Sequence, residues 1–382
     1  MRILILSSST GGGHDMRARS LEQWCTAPQI KPKQITTQRY QALEDSAPIY
    51  RFGVELYNWI QKNCPALHHL YFNYLEVFQV SAHERLLLGK KRLIAVLRKT
   101  QPDVIISVHA HTNHAFRAIA HRTLPNVKFV TYCGELFGGY GFSRHWVDPQ
   151  ADAFIGATQE ICSAAEQLGM PTERTHFGGF LLNPKFYSAP LESTAKAQLR
   201  QQLNLEDGKC TLLLSTGANG ANNHPQLIRA LEAASLEIQV IALCGRNAQV
   251  LTELESLRKS RHRVSVRPLG YREDMFELMQ IADAIVARPG TGTTSEAIQA
   301  GCPLILNTLG GVMPQEWITV KYLRAQGLPA QRLKKASDLA QLVEPLTSSP
   351  AHLAALKQRM QALRPKRQPS QIIDTLVDLL NQ

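Results

Sequence analysis

One stretch, AIVARPGTGTTSEAIQAGCPLILNTLGGVMPQE from Ala284 to Glu316, constrains the fold of this chain more than any other. Ala284 to Ala287 is a short apolar run of the kind buried in a parallel sheet. The turn Arg288-Pro289-Gly290-Thr291-Gly292-Thr293-Thr294 follows, rich in glycine and hydroxyls. A helix is expected to begin at Thr294 or Ser295, capped by that side chain, with Glu296 in its first turn. Gly301 should end it, with Pro303 close behind, and Leu304 to Leu306 opens the next strand. Such a βαβ unit exposes backbone N–H groups at a helix N-terminus, where phosphate or a sugar hydroxyl can be held. A Gly-Thr turn is also an ordinary βα connection. Position weighs against the plainer reading: Glu296, then Gly310-Gly311 and Pro314-Gln315-Glu316, all fall where open α/β sheets bind ligands.

The N-terminal stretch repeats the pattern. Residues 2–8, RILILSS, read as a buried strand, and Ser9-Thr10-Gly11-Gly12-Gly13-His14 precedes a helix expected near Asp15. Glycines here let a ligand approach the backbone closely. His14 then sits at the positive end of a helix, which disfavours imidazolium and keeps the ring neutral and able to act as a base. A histidine that only caps a turn is the other reading. A third loop, Ser215 to Asn223, follows a strand at 209–214 and precedes a helix at 225–233. Its Gly217-Ala218-Asn219-Gly220 core frees backbone N–H groups for a diphosphate without calling for a metal.

Between these loops lie two unusual segments. Residues 48–78 are dense in aromatics and read as two helices joined around Asn63-Cys64-Pro65, with Ile49, Phe52, Leu56 and Trp59 on one face and Leu67, Leu70, Tyr71, Tyr74 and Phe78 on the next. Core packing and a face seated at a lipid interface both account for such stripes. An amphipathic basic helix at 84–100 follows, and then a strand at 102–109 ending on a histidine. His109, His111 and His114 lack the i,i+4 histidine pair with glutamate of a helical zinc site, so no metal is expected. Cys133 to Gly141, with four glycines, reads as a mobile functional loop.

The chain has 382 residues, enough for two domains, and a formal charge of +11 from 42 Lys and Arg against 31 Asp and Glu. That surplus suits anionic partners. Without a zinc finger or basic heptads, nucleic acid is not expected among them. The seven cysteines show no Cys-x-x-Cys spacing and are expected to be reduced. The apolar run at the start is too short for a signal peptide, and no segment is long and apolar enough to span a bilayer. A cytoplasmic protein with at most peripheral membrane contact is the expectation.

Arg288-Pro-Gly-x-x-Thr-x-Ser-Glu296, Ala300-Gly-x-Pro303 and Gln315-Glu316 together resemble the nucleotide-sugar half of glycosyltransferase family 28. Thr-Gly-Gly-Gly-His14, the Ser-Val-His109-x-x-x-x-His114 run and Cys244-Gly-Arg246-Asn247 resemble its monogalactosyldiacylglycerol synthase and processive diacylglycerol glucosyltransferase branch. The nucleotide loop is two residues longer than in that branch, and Thr319 replaces an asparagine of the family. The resemblance implies an α/β fold of GT-B type, two Rossmann-like domains facing across a cleft. These would be an acceptor-binding domain at 1–187, a nucleotide-sugar domain at 188–369 and a helix at 370–382 returning to the first domain.

By the same resemblance, His14 is the catalytic base, and Gly12, Gly13, His109, His114 and Glu135 line the acceptor side, Glu135 standing where the family has an aspartate. On the donor side, Gly217, Ala218, Asn219, Gly220 and Arg246 would meet the diphosphate, and backbone at Gly270, Tyr271 and Arg272 the uracil. Gly292 and Thr293 would line the donor loop, Glu296 would hold the ribose, and Gln315 and Glu316 the sugar. The implied activity is an inverting, metal-independent transfer of a hexose from a UDP-sugar to a lipid such as diacylglycerol. It would take place at an anionic membrane surface, with no cofactor beyond the donor. A UDP-sugar 2-epimerase on the same fold and a non-catalytic nucleotide-sugar-binding regulator are the alternatives.

Overall fold

The computed structural model describes residues 1–28, 30, 33–63, 67–78, 84–215, 223–258 and 263–381. The chain divides into two compact units. The first comprises Met1–Pro184, Met313–Tyr322 and Pro365–Gln382, and the second Lys185–Val312 and Leu323–Arg364. Gln315 and Glu316 therefore belong to the first unit by their contacts, although they follow the second unit's strands in sequence.

The first unit is built on six parallel strands: β1 (Arg2–Ser7), β2 (Thr36–Gln41), β3 (Val104–Ser107), β4 (Lys128–Cys133), β5 (Ala153–Gly156) and β6 (Thr175–Phe177). Their order is β2-β1-β3-β4-β5-β6, with Leu4 opposite Gln38 on one side and Ile105 on the other. The inner strands are buried on both faces, which is why they read as unbroken apolar runs. The strand order reverses between β1 and β3, and a doubly wound sheet opens a crevice at the carboxyl ends of such a pair. Helix Ser370–Leu380 belongs to this unit and buries Ile372, Ile373 and Leu376.

The second unit has its own six parallel strands: β7 (Thr211–Leu214), β8 (Gln239–Gly245), β9 (Ser265–Gly270), β10 (Ala284–Ala287), β11 (Leu304–Asn307) and β12 (Arg332–Leu333). Their order, β12-β11-β10-β7-β8-β9, is that of a Rossmann sheet, with its switch point between β7 and β10.

Three local expectations change. The helix after β10 spans Thr291–Ala300, starting three residues earlier than Thr294, with Gly290 at the cap and no capping side chain. Thr294 and Ser295 are buried within it, so their hydroxyl chemistry did not mark its start, and Glu296 falls in its second turn. The basic helix covers only Lys90–Thr100, because residues 84–89 form turns that end in a left-handed Gly89. The helix carrying His14 begins at Gly13, two residues earlier than Asp15.

The two aromatic helices are Pro48–Asn63 and His68–Phe78. Their outer face is not core: Phe52 is 61% exposed, Trp59 56% and Leu70 71%, with Ile49, Tyr74 and Val77 also exposed. The six described cysteines are free thiols. Among the described residues, no helix is long and apolar enough to cross a membrane.

Candidate active site

At the carboxyl ends of β1 and β3 the first unit assembles a polar rim. After β1 the chain turns through Ser8 to Gly12, and left-handed Gly12 (φ 79°) launches the helix that carries His14 on its first turn. His14 Nδ1 lies 2.8 Å from the Val108 carbonyl oxygen. A carbonyl only accepts, so Nδ1 carries the hydrogen and the lone pair is left on Nε2. Burial, then the nearby Arg17 charge, lower the His14 imidazolium to about 3, although the bond to Val108 works the other way. The ring is neutral at any ordinary pH.

His109 packs edge-on against His14 at 4.4 Å between ring centres, with Trp146 on another side at 5.8 Å. Its Nδ1 accepts from the His111 backbone N–H at 3.1 Å, so Nε2 bears the hydrogen and donates to Thr10 Oγ1 at 2.9 Å. With both nitrogens committed, His109 orients the rim, and of the two only His14 keeps a lone pair without a partner among the described residues.

His114 is placed elsewhere. Rings run from His109 to His111, His145 and His114 at 5.7, 4.9 and 6.1 Å. At the far end, His114 Nδ1 lies 3.9 Å from Asp148, whose carboxylate accepts from Arg117 at 2.6 Å. The histidine cluster of the sequence is therefore divided: His109 serves the His14 rim, and His114 belongs to an ion-pair network.

Glu135 follows β4, and burial raises its carboxyl above the ordinary value against the pull of Arg17. Its Oε2 has no hydrogen-bond partner among the described residues. Arg17, itself buried, donates to the Gly134 carbonyl at 2.7 Å. A Cβ on Gly134 would lie 1.9 Å from the Arg17 Nε, so only glycine lets the arginine pass.

Sequence reading missed several of these parts. In the sequence Thr10 is one residue of the loop, and nothing singles out Arg17. Asn58 lies on the first aromatic helix and clamps the loop before His14, accepting from the Gly11 N–H at 2.8 Å and donating to the Ser9 carbonyl at 3.2 Å. One polar side chain on an aromatic-rich helix was the available signal.

Gln315 and Glu316 open helix Pro314–Ala325. Gln315 Nε2 donates to the Tyr57 hydroxyl at 2.9 Å. Glu316 is buried and accepts from the Met313 N–H at 2.9 Å, closing the start of its own helix as a capping-box glutamate does.

In the second unit the rim at β7 and β10 is laid out differently. Gly217, Ala218, Asn219 and Gly220 lie outside the described residues. Gly292 and Thr293 occupy the first turn of helix Thr291–Ala300. Glu296, one turn on, is half-buried with no hydrogen-bond or ion-pair partner among the described residues, and burial pushes its carboxyl up to about 7. Arg288, which the motif supplied but the site reading did not use, donates to the Leu309 and Gly311 carbonyls at 2.8 Å each and holds the loop after β11. Beyond β8, exposed Arg246 lies over the Tyr271 ring at 5.2 Å. Gly270 closes β9, and Arg272 is paired with Asp274 at 2.8 Å. An exposed cation and a helix start with no side-chain cap among the described residues suit an anionic group, and an uncompensated carboxyl suits a hydroxyl donor.

Known proteins match both units. A family model described as monogalactosyldiacylglycerol (MGDG) synthase matches residues 14–180, and one described as the glycosyltransferase family 28 C-terminal domain matches residues 211–369. The processive diacylglycerol beta-glucosyltransferase of Bacillus pumilus is 25% identical over 384 residues, covering 99% of this chain and 94% of the relative. Among solved structures, MurG of Acinetobacter baumannii superposes with a TM-score of 0.61 at 14% identity, covering 99% of each chain. Anabaena Alr3699/HepE in complex with UDP-glucose gives a TM-score of 0.57 at 14% identity, covering 100% of this chain and 99% of the other. These likenesses fix the fold as α/β of the GT-B type, with two Rossmann-like domains. With one family model over each unit and a relative aligned end to end, the chain belongs to glycosyltransferase family 28, in the monogalactosyldiacylglycerol synthase and processive diacylglycerol glucosyltransferase branch, and is a glycosyltransferase.

Proposed function

We propose that this enzyme transfers a hexose from a UDP-sugar to the hydroxyl of a diacylglycerol-type lipid, with inversion and without a metal ion. The observation that carries the reading is the tautomer of His14: a neutral imidazole with its Nε2 lone pair free, beside a glycine loop at a sheet switch point. In the proposed step the lipid hydroxyl oxygen bonds to the anomeric carbon as the bond from that carbon to the UDP oxygen breaks. His14 Nε2 takes the hydroxyl proton. A single displacement inverts the anomeric centre. The departing diphosphate is stabilised by the uncapped start of helix Thr291–Ala300, by the Gly217–Gly220 loop and by Arg246. Glu296 accepts from the ribose hydroxyls, and backbone at Gly270 to Arg272 meets the uracil.

The Bacillus relative is named for diacylglycerol, and the Anabaena structure of similar fold holds UDP-glucose; both support these substrate classes. The exposed apolar face of Pro48–Asn63 and His68–Phe78 supports a lipid acceptor reached from a membrane surface. Lys90, Lys91 and Arg92 supply charge for anionic headgroups, so peripheral attachment should weaken with salt.

The test is incubation with UDP-glucose, UDP-galactose and UDP-N-acetylglucosamine, each with and without diacylglycerol vesicles and with a chelator. A glycolipid of inverted anomeric configuration that forms undiminished in chelator is expected. Conversion of the UDP-sugar without lipid would mean an epimerase, and binding without turnover a regulator. Equal partition onto neutral and anionic vesicles would remove the membrane surface from the reading.

A further inference from the structure

Helix Pro48–Asn63 does more than present an apolar face. Within the first unit, its Tyr57 points inward and joins Gln315 and Glu135 to His68, and no motif marks Tyr57 or His68. The Tyr57 hydroxyl accepts from Gln315 Nε2 at 2.9 Å. The same nitrogen lies 3.6 Å from Met313 Sδ, which can only accept, and with the carboxamide turned this way Gln315 Oε1 is left buried without a partner among the described residues. His68, only 1% exposed, packs edge-on against the Tyr57 ring at 4.5 Å, and neither of its ring nitrogens has a partner among the described residues. Burial keeps its imidazolium low, at about 4, so the ring is neutral. Glu135 lies near enough to Tyr57 to help burial raise the phenol, and its Oε2 also lacks a partner among the described residues.

Buried polar atoms without partners are costly, and a group of them in one place is the mark of a site completed by a ligand. Their chemistry is specific. Gln315 Oε1 and Glu135 Oε2 accept, Tyr57 retains a phenolic hydrogen to donate, and neutral His68 does one of each. A ligand rich in hydroxyls, each both donor and acceptor, satisfies such a set, and an apolar chain does not. Loop residue Gly141 (φ 98°) passes so near the start of the Gln315 helix that a Cβ there would lie 1.9 Å from the Pro314 carbonyl oxygen, which fixes that helix start against the loop.

We propose that Tyr57 is a positioning residue that sets the carboxamide of Gln315, and that Tyr57 and His68 complete, with Gln315 and Glu135, the pocket that takes the hydroxyls of the transferred hexose. The inference rests on the UDP-hexose reading above and adds two residues to it. The helix that faces outward with Phe52 and Trp59 then also holds the sugar-binding side chain through Tyr57 and the loop before His14 through Asn58.

Calorimetry with UDP and with UDP-glucose or UDP-galactose separates the hexose from the nucleotide. Tyr57→Phe keeps the ring and is expected to weaken UDP-hexose about three- to ten-fold, the range of one neutral hydrogen bond, while UDP binds as to the wild type. Because Tyr57 acts through Gln315, adding Tyr57→Phe to Gln315→Ala should weaken UDP-hexose less than it does alone. Wild-type affinity for UDP-hexose in Tyr57→Phe, an equal loss for UDP, or full additivity with Gln315→Ala would overturn the proposal. Should Tyr57→Phe fail to fold, His68→Phe reads the same pocket, with a selective loss for UDP-hexose expected and wild-type binding overturning it. A wild type that binds neither ligand defeats the donor reading together with this one. A wild type that binds UDP-hexose, with variants that bind it equally well, defeats only this one.

Discussion

The two sheet rims solve the same problem in opposite ways. At β1 and β3 of the first unit, most polar groups are committed before any ligand arrives: His14 Nδ1 to Val108, both nitrogens of His109, and the loop backbone to Asn58. At β7 and β10 of the second, Glu296 lacks a described partner, Arg246 is exposed, and no side chain caps the helix start. A group that must move a proton needs its tautomer and direction set in advance. Groups that bind a charged nucleotide can take their order from the nucleotide itself. On the proposed reading, their unmet polarity is a cost in stability that binding would relieve.

The contrast predicts where each change should be felt. The largest effect belongs to the committed rim: His14→Ala should lower kcat by about 10²–10⁴ and leave UDP affinity alone. Steady-state kinetics with UDP calorimetry checks it, and wild-type kcat in a folded variant would place the base elsewhere. On the open rim Glu296→Ala should weaken UDP by roughly 1–3 kcal/mol, the scale of a lost hydrogen bond to a charged group. Because the carboxyl must ionise to accept fully from the ribose, wild-type UDP affinity should rise from pH 6 to pH 8 and the variant's should not. A flat profile in both would remove Glu296 from the nucleotide site.

Stability offers a finer comparison. Thr10→Val orphans the buried His109 N–H and should cost about 1–3 kcal/mol in chemical denaturation. Glu296→Gln should do the reverse above neutrality. The folded carboxyl holds its proton to about pH 7, whereas the unfolded one gives it up near pH 4.5. Whatever stability that difference contributes is present below the lower value and is lost as pH rises through the upper one. At pH 8 the glutamine variant should therefore be more stable than the wild type by on the order of 1 kcal/mol. A destabilised glutamine variant at pH 8 would show that the glutamate is satisfied after all.

The alternation of apolar strands and glycine turns made most of both sheets legible, because parallel strands buried on both faces can only be apolar. Strand β2 was not: TTQRYQ lies at the sheet edge with only Tyr40 buried, so it lacks the apolar run of the inner strands although Thr36, Thr37 and Tyr40 favour β. The start of the helix at Thr291 was hidden for a related reason, since Thr-Gly-Thr-Thr resembles a loop until burial of Thr294 and Ser295 is known. The glycine loops and His14 could be picked out as candidates. The commitments that distinguish His14 from His109 and His114 could not, because Thr10 meets His109 across 99 residues and Asn58 meets Gly11 across 47. The outward face of Phe52 and Trp59 was also undecided, since the same stripe would serve a core.

The discontinuous make-up of the first unit bears on how the chain is made. Its sheet is complete in sequence by Phe177, yet Ile372, Ile373 and Leu376 sit at full burial within the same unit. Synthesis runs from the N-terminus at about 5–20 residues per second. The early sheet must therefore wait on the ribosome for roughly ten seconds or more, with an apolar groove uncovered, while the residues up to 370 emerge. During that interval the nascent protein is a client for whatever shields such grooves, and trimming a dozen residues from the carboxyl end would make the wait permanent.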